Sequence, residues 1–120
     1  MKKYSIILTS LVLLAMAGCV QKSYKKTVVV TLSVTNLKDI KSVGIRGQGK
    51  PLSWDHDFEM KPLVKDSFYT ATITAVTGYK FAEIKFTVNG EFELKEQPNR
   101  RVFFSDKDTT FYDAKFDTNK

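Results

Sequence analysis

The chain has 120 residues and a formal net charge of +6, from 19 Lys and Arg against 13 Asp and Glu. That length allows one compact domain and excludes two once a leader is removed. The basic residues lie scattered among acids without the clustered stripe of a nucleic-acid binder, and the single cysteine excludes an intramolecular disulfide.

Residues 1–19 (MKKYSIILTSLVLLAMAGC) begin with two lysines, continue as an apolar run from Ile6 to about Met16, and end in small residues and Cys19. At roughly a dozen residues the run is short of the ~20 that a membrane-spanning helix needs, so it predicts a signal peptide over residues 1–18. Met16-Ala17-Gly18-Cys19 resembles a bacterial lipobox, with Met16 where Leu is usual. That resemblance implies cleavage before Cys19, lipidation of its thiol and a membrane anchor in the bacterial cell envelope. The outer membrane is favoured over the inner, and the leaflet stays open because Val20-Gln21 is not an acidic pair. The alternative is an ordinary signal peptide with Cys19 as a spare thiol. Residues 19–26 are expected to form the tether. Lys22, Lys25 and Lys26 would each gain up to ~1 kcal/mol near anionic headgroups, although a solvated tether is the preferred reading.

Residues 27–35 (TVVVTLSVT) place Val28, Val30, Leu32 and Val34 on one face, with β-branched residues throughout, and predict a strand. Residues 36–39 turn the chain. Residues 40–46 form a weaker strand with Val43 and Ile45 as its apolar positions, and residues 47–51 (GQGKP) must be loop. No clear period runs through residues 52–62. Residues 68–75 (FYTATITA) alternate again. Then Ala82, Ile84, Phe86 and Val88 alternate with Glu83, Lys85 and Thr87, Asn89-Gly90 supplies a type I′ turn, and Phe92 and Leu94 restart the alternation. The expected central hairpin pairs residues 82–88 with 91–95. Residues 101–104 and 110–116 complete about seven short strands. With no amphipathic helical segment of useful length, residues 27–117 read as an all-β, immunoglobulin-like β-sandwich. The antibody-type Cys…Trp…Cys core is missing.

Three pieces in fixed order carry a further likeness: Arg46-Gly47…Leu52-Ser53-Trp54, then Glu83-Ile84-Lys85-Phe86 leading to Asn89-Gly90-Glu91-Phe92, then Pro98-Asn99-Arg100. Together they resemble the starch- and glycogen-binding carbohydrate-binding modules, over about residues 28–116. The resemblance implies an α-glucan site in which Trp54 and Phe92 are platforms for glucose rings, Lys85 is a polar anchor and Asn99 a polar turn residue at the ligand. Phe92 stands where Trp is usual, and Ile84 where Tyr is common. An α-glucan offers apolar C–H faces rimmed by hydroxyls, which suits flat aromatics and a few directed polar groups. Stacking on Trp54 would remove ~80 Å² of apolar surface, about 2 kcal/mol.

Each of these residues also has a structural reading. Trp54 is flanked by polar Ser53, Asp55, His56 and Asp57, which favours a ring near the surface, yet it could fold onto the sandwich edge. Phe92 shares a strand face with Leu94 and is expected in the core if Leu94 is buried. Lys85 could be a solvated strand residue. Asp55-His56-Asp57 holds the single His, but adjacent residues point apart and make a poor chelate, so neither a metal nor any other cofactor is expected. No nucleophile motif or opposed carboxylate pair stands out, which predicts a non-enzyme. The rival to glucan binding is an envelope lipoprotein with a structural or protein-interaction role whose sugar site is lost.

Overall fold

The computed structural model describes residues 22–119; the expected signal peptide and Cys19 lie outside the described residues. Among the described residues nine strands follow in order: β1 (Tyr24–Ser33), β2 (Val43–Gly47), β3 (Phe58–Glu59), β4 (Lys61–Val64), β5 (Phe68–Thr77), β6 (Phe81–Val88), β7 (Glu91–Phe92), β8 (Arg100–Phe103) and β9 (Thr109–Lys115). They build a β-sandwich. One sheet has the order β4-β5-β1-β9, and the other β3-β2-β6-β7 with β8 also pairing along β6. The β1–β9 pair is parallel, and β1–β5, β2–β6 and both partners of β6 beyond it are antiparallel.

Alternation decides which faces meet. Val28, Val30 and Leu32 of β1, with Val34 just beyond it, are buried beside Tyr69, Ala71 and Ile73 of β5. Val43, Ile45, Ile84, Phe86, Val88 and Val102 face them from the second sheet and close one core. Burying each such aliphatic or aromatic side chain contributes about 1.5–3 kcal/mol. At the β6–β7 turn Asn89 (φ 53°) and Gly90 (φ 79°) adopt the paired left-handed conformations of the expected type I′ turn. The Asn89 side chain does a second job. Its Oδ1 accepts from the amides of Lys41 (2.7 Å) and Ser42 (3.1 Å), and its Nδ2 donates to the Asp39 carbonyl (2.9 Å), tying the β1–β2 loop to the turn.

The boundaries differ from the sequence expectation in three instructive places. β1 begins at Tyr24, because Tyr24, Lys25 and Lys26 pair with Thr77, Val76 and Ala75 of the long β5. The chain leading to the fold is therefore shorter than a tether over residues 19–26. Residues 52–62, which show no period, lead into β3 and β4. Every residue of β4 is exposed, so this edge strand has no buried face to impose alternation. The hairpin's second strand stops at Phe92 rather than Lys95. The Glu93 amide still donates to the Phe86 carbonyl (3.0 Å), but Leu94 turns the chain at φ 47°.

Candidate functional site: the open face of the five-stranded sheet

The register of β2 and β6 sets Arg46 opposite Lys85 and Gly44 opposite Thr87, and β7 sets Phe92 opposite Thr87. Because side chains alternate across a strand, these residues share the face turned away from the core. Arg46 organises that face. Its Nε donates to Asp57 Oδ1 at 2.7 Å, its Nη1 donates to the Trp54 carbonyl at 3.2 Å, and its guanidinium lies 5.0 Å from the Phe92 ring centroid. Thr87 Oγ1 donates to the same Asp57 oxygen at 2.8 Å. One arginine thus joins the loop carrying Trp54 to the aromatic ring of the hairpin.

Gly44 makes room for this. A methyl group there would lie 2.7 Å from both Cβ and Cγ of Asp57 and 2.9 Å from Thr87 Oγ1. The Asp57 side chain therefore crosses the strand at Gly44, where no Cβ stands in its way, and reaches Arg46 and Thr87 by doing so.

The residues expected to bind sugar have unequal positions. Trp54 is half-buried in the β2–β3 loop, with its backbone held by Arg46. Phe92 is half-buried, with Arg46 over its ring. Lys85 is on the same face, but its Nζ donates to the carbonyls of Leu94 and Gln97, both at 3.0 Å. It closes the loop that follows β7. Asn99 is half-buried before β8, with its Nδ2 3.5 Å from Glu83 Oε2, at the limit of a hydrogen bond. Glu83 also pairs with Arg101 at 3.4 Å. Phe92 and Leu94 do not share a face: the turn at Leu94 buries Leu94 and leaves Phe92 on the outer side. The Phe92–Leu94 expectation fails because it assumed a strand that continues to Lys95.

Behind this face lies a buried ion pair that sequence reasoning missed. Arg100 Nε and Nη2 donate to the two carboxylate oxygens of Glu93 at 2.6 and 2.8 Å, with side chains 4% and 0% exposed. Glu93 also accepts from the amides of Phe86 and Asp117, both at 3.0 Å. Arg100 Nη2 further donates to the carbonyls of Lys115 and Thr118, and its guanidinium lies 5.3 Å from the Phe86 ring centroid. Burial by itself would loosen the Arg100 proton, but the hydrogen bonds to Glu93 and Tyr112 and the charge of Glu93 prevail and hold it more tightly than usual. The pair is structural. Nothing in composition announces it, since glutamate normally reads as solvent-facing.

Arg46 and Asp57 are the other residues missed. Asp57 stands in the Asp-His-Asp run, whose spacing spoke only to metal binding. Among the described residues no group of three or more His, Cys, Asp or Glu converges on a metal-sized site.

A more voluminous concavity lies elsewhere among the described residues. An open cleft of about 880 Å³ lies at the end of the sandwich where β1 begins, bordered by Gln48, Lys50, Pro51, Tyr79, Phe81 and Glu83. Phe92 instead borders a smaller groove at the opposite end, with Leu37, Lys38 and Phe116. The Arg46–Phe92 surface is a face rather than a pocket, and the loop that carries Trp54 is tied to it through the Trp54 carbonyl. No protein-family model and no curated protein matches the chain.

Proposed function

We propose that the protein is a membrane-anchored, non-catalytic carbohydrate-binding module for starch- or glycogen-like α-glucans, bound on the open face of the five-stranded sheet. The observation that carries this reading is the Arg46 bridge between Trp54 and Phe92. A partly exposed aromatic on the sheet face and a second in the loop tied to it, among fixed polar groups, suit a ligand with apolar ring faces and a hydroxyl rim. In this reading Trp54 is the main platform, Phe92 a second one backed by Arg46, Asn99 a polar contact at the margin, and Lys85 the residue that holds the neighbouring loop in position. A single weak site gains from lipid anchoring through Cys19, since many copies on one membrane meet a polymer together.

The test is retention on insoluble starch. Trp54→Ala is expected to abolish it with a nearly unchanged thermal midpoint. A folded variant that is still fully retained overturns the role of Trp54.

A second reading has one specific observation in its favour. The Lys85 ammonium is engaged by two backbone carbonyls and one face of Phe92 is taken by Arg46, as in a sandwich that contacts an envelope protein and has lost its sugar site. It predicts no retention of the native protein on starch and a partner captured by crosslinking in intact membranes.

A further inference from the structure

The end of the sandwich that carries the start of β1 is distinguished by what is exposed there. The register pairs Tyr24 with Thr77 and Lys25 with Val76, so the first residues of β1 stand beside the β5–β6 turn. Thr27 is bonded to Asp108, and Phe81 pairs with Phe103, which brings the β8–β9 turn and the start of β6 to the same end. Four large apolar or aromatic side chains are solvent-facing here: Tyr24 (59%), Phe103 (63%), Val76 (72%) and Tyr79 (74%). Lys22, Lys25, Lys50 and Lys80 surround them as exposed cations, against Asp106 and Asp108 in the β8–β9 turn. Lys26 is set apart, since its ammonium donates to the carbonyls of Ser105 and Lys107.

We infer that this end is the membrane-facing surface of the domain, seated directly on an anionic phospholipid headgroup layer. The inference rests on the proposed lipidation of Cys19. Only five residue steps separate Cys19 from Tyr24, and at about 3.5 Å per step even a fully extended chain reaches ~17 Å. The length of that link selects this end over the apolar cluster of Leu63, Val64 and Phe68, which lies around the β4–β5 turn at the far end. Tyrosine rings and lysines are the side chains that settle at a headgroup interface, the ring in the boundary layer and the ammonium on phosphate. The seating also orients the proposed sugar face. Along β6, Lys85 (opposite Arg46) lies four residues from Phe81 and Thr87 (opposite Phe92) six, so the Arg46–Phe92 surface stands about 13–20 Å from the seated end, where a polymer can reach it.

The experiment uses the full chain, processed in a bacterium supplied with labelled fatty acid and reconstituted into phosphatidylethanolamine–phosphatidylglycerol vesicles containing brominated lipid. Two reporters are compared on a Trp54→Phe background: Tyr79→Trp at the seated end and Lys65→Trp at the far end. Both positions are exposed, so neither substitution threatens the core. The expected result is label on Cys19, Tyr79→Trp emission quenched about twofold or more, and Lys65→Trp emission unaffected. Labelled protein in which the two reporters are quenched equally, or in which Tyr79→Trp is not quenched, overturns the seating and leaves the anchor intact. Protein without label overturns both.

Discussion

The guanidinium of Arg100 and the carboxylate of Glu93 meet through two hydrogen bonds of 2.6 and 2.8 Å inside the sandwich, seven residues apart across the loop that follows β7. Around them β6, β8 and the segment after β9 are joined, because Phe86, Asp117, Lys115 and Thr118 each supply a backbone partner. No buried side-chain polar atom among the described residues lacks a partner, which is what makes a buried charge pair tolerable.

Removing one member of the pair strands the other charge. Glu93→Ala or Arg100→Ala is expected to lower unfolding free energy by about 3–5 kcal/mol in urea titrations, and the double variant by less than the sum. Because the folded state holds the Arg100 proton more tightly than the unfolded chain, its contribution is complete below the ordinary guanidinium range and is lost only above it. Stability should therefore show no loss attributable to Arg100 between neutral and moderately alkaline pH. A midpoint that falls over that interval in the native protein, but not in Arg100→Ala, contradicts this.

Gly44 and Asp57 compete for the same space. Gly44→Ala brings a methyl within 2.7 Å of the Asp57 side chain, so it should cost about 1–3 kcal/mol. It should also displace the Trp54 loop, since Asp57 holds Arg46. A high-resolution structure of the variant with Asp57 unmoved counts against this.

Arg46→Ala removes the bridge itself. The expected loss is ~1–2 kcal/mol for a partly exposed charge-assisted hydrogen bond and a cation–π contact. The ¹H–¹⁵N heteronuclear NOE of the backbone amides of the Trp54 loop should drop at the same time. Arg46→Lys should not restore it, because an ammonium cannot reach Asp57, the Trp54 carbonyl and the Phe92 ring in one planar arrangement.

Lys85→Met separates a positioning role from a ligand contact. With its ammonium engaged by Leu94 and Gln97, the variant should lose ~1–2 kcal/mol of stability and keep its glucan affinity. Affinity lost at unchanged stability would mean that Lys85 releases those carbonyls to bind sugar.

Much of this fold is visible in the residues themselves. The Val28–Val34 alternation and the Ile84–Val88 run followed by Asn89-Gly90 announce strands and a turn because one face is buried and the turn needs left-handed backbone. β4 is invisible for the opposite reason, having no buried face. Trp54, Lys85 and Phe92 are candidates through the resemblance to starch- and glycogen-binding modules. That Phe92 shares the outer face with Lys85 is hidden in the sequence, since the turn at Leu94 separates Phe92 from the core in a way that strand alternation contradicts. The roles of Arg46 and Glu93 depend on partners that only the fold brings close: Asp57 across the Gly44 gap, and Arg100 across a loop.

The central claim is that the Trp54 face binds an α-glucan, and the most direct measurement is an NMR titration with a linear malto-oligosaccharide. Residues 20–120 are suitable, because among the described residues the buried core runs from Val28 to Phe116, and the single tryptophan gives one indole N–H to follow. The account predicts a saturable shift at Trp54 that extends to Phe92 and its neighbours on the same sheet face. A well-folded spectrum with no shift at about millimolar ligand, a concentration that would reveal even a ~4 kcal/mol site, contradicts it.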